Sequence, residues 1–401
     1  MSVKKVEKIY ASSLPSLKFR KNGDKRFKNG HPWVFSNELD NLPKYESGQM
    51  VSLFSNSGKL AAIGYYNSHS LIAFRELVRS DLIKDDFINE RIKKALNYRN
   101  QLYPKEEAKR VIYGESDRLP GLIVDLYGNS VVIQTLTAGM EKLKDKVMDA
   151  LEEIIKPEKI FFKNDTSSRV LENLEKEFSI VKGRDTFIEA TFLGVKFNYD
   201  AEKAQKTGLF LDQRDNISLL SSFDLKGKKV LDLFSYFGAW GLRALTLGAA
   251  SVTFVDSSRY ALQIASETAQ KSGFGNCFSV ESNVFDYLAS LISQGDKFDF
   301  VFSDPPAFAK SSKHIKEACR AYTRLNEKCL RVLNKGGVLI ASSCSHHIPY
   351  EIFLNTLEEA ASNSKKQVRL LFSGRQSLDH PILLNFPESS YLKTFFLKVE
   401  D

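Results

Sequence analysis

Residues 228–249 read KKVLDLFSYFGAWGLRALTLGA. Val230, Leu231 and Leu233 make a short apolar run of the kind found in strands covered on both faces. Asp232 and Phe234 stand at its carboxyl end, and Gly238 and Gly241 permit a tight turn into a helix expected to begin near Trp240. A buried strand, a glycine turn and a helix in that order open a βαβ unit. In such sheets ligands bind outside the carboxyl ends of the strands, where the N–H groups of the turn and helix start point outward. The spacing departs from GxGxxG and no Walker lysine follows, which disfavours a dinucleotide and a nucleoside triphosphate.

The flanking sequence continues the pattern downstream. VTFVDSS, residues 252–258, reads as a second strand ending in Asp256 and Ser257, where a carboxylate can accept hydrogen bonds from ribose hydroxyls. Strand and helix patterns then alternate through YALQIASETAQKSG, FSVESN, DFVFSDPP, ACRAYTRLNEKCLRVL and GGVLIASS. This predicts a doubly wound parallel sheet over residues 196–401. Upstream the pattern differs. Residues 1–80 show short strands (PSLKF, PWVFS, QMVSLFS, LAAIGYYN, LIAFREL) between turn signals, as in a small β-barrel. Residues 81–195 open with an amphipathic helix over 85–102 and then mix strands with one further helix, predicting a small α+β domain. The fold class is therefore multidomain α/β.

The chain has 401 residues and a net charge of +8. Nine cations (Lys4, Lys5, Lys8, Lys18, Arg20, Lys21, Lys25, Arg26, Lys28) crowd the first 30 residues against Glu7 and Asp24, a pattern suited to phosphate contact. Cys277, Cys319, Cys329 and Cys344 form no CxxC pair, which argues against a disulfide framework and a zinc knuckle. No apolar run approaches the roughly 18 residues of a membrane helix, and the start lacks the apolar core of a signal peptide. No membrane partner is expected, and cytoplasm is the expected compartment.

LDLFSYFGAWGL resembles motif I of class I S-adenosylmethionine-dependent methyltransferases. Their cofactor is cationic at sulfur and lacks phosphates, so acidic strand ends suit it better than a phosphate cradle. More widely, the chain resembles bacterial large-subunit ribosomal RNA methyltransferases with an N-terminal PUA domain. GHPWVFSNEL is similar to their PUA segment and GESDRLPGLIVDLYG to the start of their central domain. QKTGLFLDQRDN, DPPAFAKS and DHPILLNFPESSYLK are similar to their cofactor-covering, base-site and C-terminal motifs. The resemblance implies a PUA-like barrel, a central α+β domain and a Rossmann-like methyltransferase domain. It implies S-adenosyl-L-methionine as cofactor and large-subunit ribosomal RNA, naked or in a particle, as partner, with the chain acting singly or as a homodimer. It places Lys206, Thr207, Phe210, Gln213, Arg214, Asp232, Phe234, Gly238, Asp256, Ser257 and Asn283 around the cofactor. Asp304, Pro305, Pro306 and Phe308 fall at the target base, Asp304 hydrogen-bonding its edge and Phe308 offering a stacking face.

In GGVLIASSCSHHIP, residues 336–349, Cys344 ends an apolar run and should share a sheet edge with Asp304. Three readings stand: a small core residue, a metal ligand with His346 or His347, and a nucleophile. Zinc lacks further ligands at suitable spacing. Pairing DPP with a later cysteine is similar to RNA pyrimidine-C5 methyltransferases, in which a thiolate adds to C6 and makes C5 nucleophilic. The expected activity is thus methylation of a ribosomal RNA base, with cytosine C5 as the target. Guanine-nitrogen methylation and a non-catalytic assembly factor are the alternatives.

Overall fold

The structure is a computed structural model that describes residues 7–309 and 311–400. Lys4, Lys5 and Lys310 lie outside the described residues. The chain divides into two compact units. The first gathers residues 1–190 with Asp200–Gly208 and Asp379–Ser389; the second gathers Thr191–Tyr199, Leu209–Leu378 and the C-terminal segment from Ser390.

In the first unit, five short strands form one sheet in the order Ser16–Lys18, Gln49–Phe54, Leu60–Tyr66, Phe74–Val78, Trp33–Val34. Leu17, Phe19, Phe27, Val34, Leu53 and Phe74 fill its core. The segment before the linker helix adds a strand that its composition did not signal: Leu82–Lys84 pairs antiparallel with Lys8–Tyr10. The helix Phe87–Leu102 follows and buries Phe87, Ile88, Ile92 and Ala95 on one face. A second sheet runs Glu177–Lys182, Lys159–Asn164, Ser130–Thr135, Leu122–Tyr127, Ala108–Tyr113. Only Ser130–Thr135 and Lys159–Asn164 pair in parallel, connected through the helices Ala138–Lys142 and Lys144–Ile154.

One apolar cluster joins these parts. Ile63, Tyr65 and Leu77 of the barrel pack with Ile88, Ile92, Val111, Val131 and Leu151. Buried ions tie them further. Arg75 pairs with Glu115 at 2.9 Å and Glu172 at 3.1 Å, and the Tyr65 hydroxyl donates to the Pro120 carbonyl. The expected boundary at residue 80 therefore crosses a shared core.

Contacts also divide the expected 196–401 domain. Asp379 accepts from Arg99 through its carbonyl and from the Arg110 N–H through its carboxylate, at 3.0 Å each. His31 meets Glu388 at 3.1 Å, and the Trp33 and Phe386 rings sit 4.7 Å apart. Polar and aromatic pairs of this kind leave no periodic trace in a sequence, so the segment resembled part of the domain that surrounds it in the chain.

The second unit holds a seven-stranded sheet. Its elements in chain order are β1 Lys229–Leu233, α1 Ala239–Thr246, β2 Ser251–Asp256, α2 Arg259–Lys271, β3 Cys277–Glu281, α3 Val284–Gln294, β4 Phe298–Ser303, α4 Ile315–Arg331, β5 Leu333–Ser343, α5 Tyr350–Ser364, β6 Val368–Gly374 and β7 Lys393–Val399. The strands lie in the order β3-β2-β1-β4-β5-β7-β6. β1 to β5 are parallel, as expected, with Leu233 level with both Val255 and Ser303. β7 corrects the all-parallel expectation, for it runs antiparallel to both β5 and β6. The chain returns from β6 to β7 without a crossover helix, and a return of that kind reverses strand direction. Leu231, Leu233, Val301 and Leu339 meet Tyr322, Leu325, Phe353 and Leu357 in the core beneath α4 and α5. Strand order reverses between β1 and β4, and the crevice at their carboxyl ends is where such sheets bind ligands.

Candidate active site

The loop after β1 shapes the first half of the site. Phe234 and Tyr236 take left-handed φ values of 56° and 49°, and Gly238 follows at 77° as the helix cap. Left-handed backbone at non-glycine residues costs on the order of 1–3 kcal/mol each and persists only where neighbours enforce it. Here β2 does so. The Ser235 N–H donates to the Val255 carbonyl at 3.1 Å, and the Tyr236 N–H donates to Asp256 Oδ2 at 2.9 Å. Asp256 Oδ1 accepts from the Ser258 N–H at 2.9 Å, so both carboxylate oxygens order backbone. Ser257 is exposed beside it.

Gly241 has a packing role as well as a turn role. A Cβ there would lie 2.5 Å from the Phe254 ring and 2.6 Å from Val252 Cγ1, so its absence lets α1 sit close on β2. That approach also brings the Gly241 N–H within 2.9 Å of Asp232 Oδ2. Asp232 is buried, and burial above all holds its carboxyl well above the usual carboxylate range. The Gly241 N–H opposes that rise, while the negative charges of Asp304 and Asp256 add to it. Three acids therefore converge on one sheet edge and repel one another.

The second half lies across β4 and β5. Asp304 follows β4 directly, and the Gln213 side chain donates to its Oδ2 at 3.0 Å. Gln213 is itself held from several sides. Its amide N–H reaches Ser342 Oγ at 3.2 Å, and its carbonyl accepts from Asn216 at 2.7 Å. Cys344 follows β5 directly, half-buried, with its thiol donating to the Pro305 carbonyl at 3.8 Å. Pro305 is buried, and Pro306 is exposed at the turn. Phe308 is half-buried, its ring 4.7 Å from Tyr322 and 6.4 Å from Phe285, so much of its surface serves packing within the unit. The His346 ring lies 5.3 Å from Tyr391, and His347 is exposed.

Two families match: a PUA-like domain over residues 17–79 and conserved hypothetical protein 95 over residues 214–370. The ribosomal RNA large subunit methyltransferase I of Klebsiella pneumoniae (strain 342) is 33% identical over 397 residues, covering 97% of this chain and 99% of that protein. The protein of the same name from Photobacterium profundum is 34% identical, covering 95% and 98%. This chain belongs to the ribosomal RNA large subunit methyltransferase I family. A protein described as a methyltransferase and solved with SAH bound shares its fold, with a TM-score of 0.84, 21% identity, and coverage of 96% of this chain and all of that one.

Not every residue assigned to the methyltransferase's cofactor site falls in one place. Phe210 packs on the β1 loop, its ring 5.0 Å from Tyr236. Arg214 is buried with its guanidinium 5.3 Å from the Phe192 ring. Asn283 caps α3, its Oδ1 accepting from the Phe285 N–H at 2.9 Å. Lys206 and Thr207 group with the first unit, one exposed and one buried, whereas Phe210, Gln213 and Arg214 group with the second.

The methyltransferase sequence also concealed participants. Lys393 opens β7 opposite Ser343, and Tyr322 of α4 makes hydroxyl contacts with Ser343 and Ser345 at 2.9 Å each. A lone lysine heading an apolar strand was the available signal for the first. Tyr322 carried none, because a tyrosine on an apolar helix face reads as core. The Ser235 hydroxyl is buried with no hydrogen-bond partner among the described residues, in the loop that Asp256 orders. A cationic ligand rich in hydroxyl and amine groups would relieve both this hydroxyl and the three converging acids. The residues present therefore fit S-adenosyl-L-methionine.

Proposed function

We propose that this chain binds S-adenosyl-L-methionine across the ends of β1 and β2 and methylates C5 of a cytosine in large-subunit ribosomal RNA, with Cys344 as the nucleophile. The observation that carries the reading is the seat of Cys344, one residue beyond β5 and against the Pro305 carbonyl of the DPP turn, with Asp304 alongside. A cysteine retained only for core packing would be fully buried, like Cys329, whose thiol burial pushes up to about 12. Cys344 is not. The names of the curated relatives, which specify large-subunit ribosomal RNA, support the substrate class.

When bound, the cofactor supplies an electrophilic methyl group and leaves as a neutral thioether. The chain's own residues prepare the acceptor. The Cys344 thiolate adds to C6, the ring electrons move toward C5, and Asp304, oriented by Gln213, accepts a hydrogen bond from the N4 amine at the base edge. After methylation, loss of the C5 proton lets the C6–S bond break and releases the cysteine. Asp256 would hold the ribose, and Asp232, whose carboxyl burial favours in its neutral form, sets the β1 loop through Gly241. In the barrel, the exposed Lys8, Lys18, Arg20, Lys21, Lys25 and Lys28 contact RNA phosphates.

The test uses RNA with 5-fluorocytosine at the target, where fluorine replaces the proton that must leave. Wild type should form a covalent protein–RNA adduct that survives denaturation, and Cys344→Ala should form none while retaining cofactor binding. Full methyl transfer by Cys344→Ala would overturn the mechanism.

A further inference from the structure

The second unit places one cation beside the nucleophilic sulfur. Lys393 opens β7 opposite Ser343, the last residue of β5, and its side chain reaches the carbonyl of Ser345, the residue after Cys344. Its Nζ donates to the Ser345 carbonyl at 2.7 Å and to the Tyr391 carbonyl at 2.8 Å. Two carbonyl acceptors match the two N–H bonds of a neutral amine, leaving the third position of the nitrogen for a lone pair or one more proton. Burial lowers the ammonium to about 8, and the Cys344 sulfur is the charge that opposes this fall.

We propose that Lys393 accepts the Cys344 proton and then, as ammonium, holds the thiolate ready for addition to the pyrimidine. The Sγ–H bond breaks, an Nζ–H bond forms, and the electron pair stays on sulfur, so a neutral pair becomes an ion pair of zero net charge. The inference rests on Cys344 being the nucleophile.

Other titratable groups also surround the pair. Tyr322 faces the thiol from α4, but burial raises its hydroxyl and keeps it a neutral hydrogen-bonding group. Tyr391 donates to Asp212 at 2.5 Å and carries the His346 ring against its own. Asp304, beyond the Pro305 turn, is an acid and would oppose a thiolate. Among the described side chains bonded within this cluster, Lys393 is the amine, with its Nζ on the carbonyl of the residue that follows Cys344.

The experiment follows alkylation of Cys344 by iodoacetamide in the full-length protein, resolved by peptide mass spectrometry so that Cys277 and Cys319 do not interfere. It compares wild type, Lys393→Met and Lys393→Arg from about pH 6 to about pH 9, the span in which thiols and perturbed amines titrate. An opposite charge within a few ångströms moves a pKa by about one unit or more, so Lys393→Met should alkylate about tenfold more slowly at neutral pH. Its profile should move to higher pH, and Lys393→Arg should restore most of the wild-type profile because it keeps the charge.

A Lys393→Met profile superimposed on wild type would overturn the inference. So would a Lys393→Arg profile displaced like that of Lys393→Met, for then strand packing and not charge sets the thiol. The 5-fluorocytosine adduct separates the two readings. An adduct with unshifted profiles removes the Lys393 role and leaves Cys344 the nucleophile. Shifted profiles without any adduct support the lysine–thiol pair and remove Cys344 as nucleophile.

Discussion

Replacing Asp256 by Asn should cost most of the cofactor affinity although it preserves shape. Both carboxylate oxygens accept backbone N–H groups, from Tyr236 and Ser258 at 2.9 Å each. An Asn has one acceptor oxygen, so its amide nitrogen must face one of those N–H groups, donor against donor. A hydrogen bond to a charged group contributes about 1.5–3 kcal/mol, and Asp256 is half-exposed, so about 2 kcal/mol is a fair figure for the loss. The loop that slackens is the one holding Phe234 and Tyr236 in left-handed backbone, so the released strain adds to the disorder. At a factor of ten per 1.4 kcal/mol, affinity for S-adenosylmethionine should fall about 30-fold. Isothermal titration calorimetry measures this. S-adenosylhomocysteine should weaken by a similar factor, because the ribose is common to both ligands. Affinity for both within twofold of wild type would refute the assignment of Asp256 to the ribose and the role of the loop. A loss confined to S-adenosylmethionine would show that charge, not ribose contact, is what Asp256 provides.

Asp232 carries a pH prediction. Its folded carboxyl lies well above the unfolded value, so its contribution to stability is fully present below the unfolded pKa of 3.8 and is lost as pH rises through the folded value. Without ligand, Asp232→Asn should therefore unfold at a higher temperature than wild type at pH 8, with the gap closing in acid; calorimetric scans giving a constant gap would contradict this. The basic face of the barrel carries another. Lys18→Gln, Lys21→Gln and Lys25→Gln together should flatten the dependence of RNA affinity on salt, by about 0.7 in log–log slope for each phosphate of single-stranded RNA that is no longer neutralised. Filter binding over a salt series reads the slope, and an unchanged slope would take this face out of RNA binding. Point changes are the right probe here. Deleting residues 1–80 would strip Ile63, Tyr65 and Leu77 from a core shared with Val111 and Leu151 and leave Glu115 and Glu172 buried without Arg75.

The alternation of apolar strands with amphipathic helices from Lys228 onward was enough to specify β1 to β5 and their helices. Burial on both faces demands runs such as VLDL and VTFV, and glycine is demanded where α1 closes on β2. The acids at the strand ends were legible for the same reason: Asp232, Asp256 and Asp304 each interrupt or end an apolar run, and a charge in that position needs a purpose. Cys344 was legible as an edge residue because its position in the run is fixed by its neighbours along the chain. Such properties are local, and the chain carries them in order.

What the tertiary structure decided is whatever depends on residues distant in sequence. β7 runs antiparallel because its return from β6 lacks a helix, and in that direction Lys393 stands opposite Ser343. Gln213 became the group that orients Asp304, 91 residues away, through a hydrogen bond that leaves no mark on either segment. Asp379 joined the first unit because Arg99 and Arg110, far earlier in the chain, satisfy it. Hydrophobic periodicity reports which face of an element is buried, since burial scales with apolar area along that element. Directional polar contacts between distant segments carry no period. Which amine faces a strand end and which amide holds a carboxylate therefore depend on how the strands assemble.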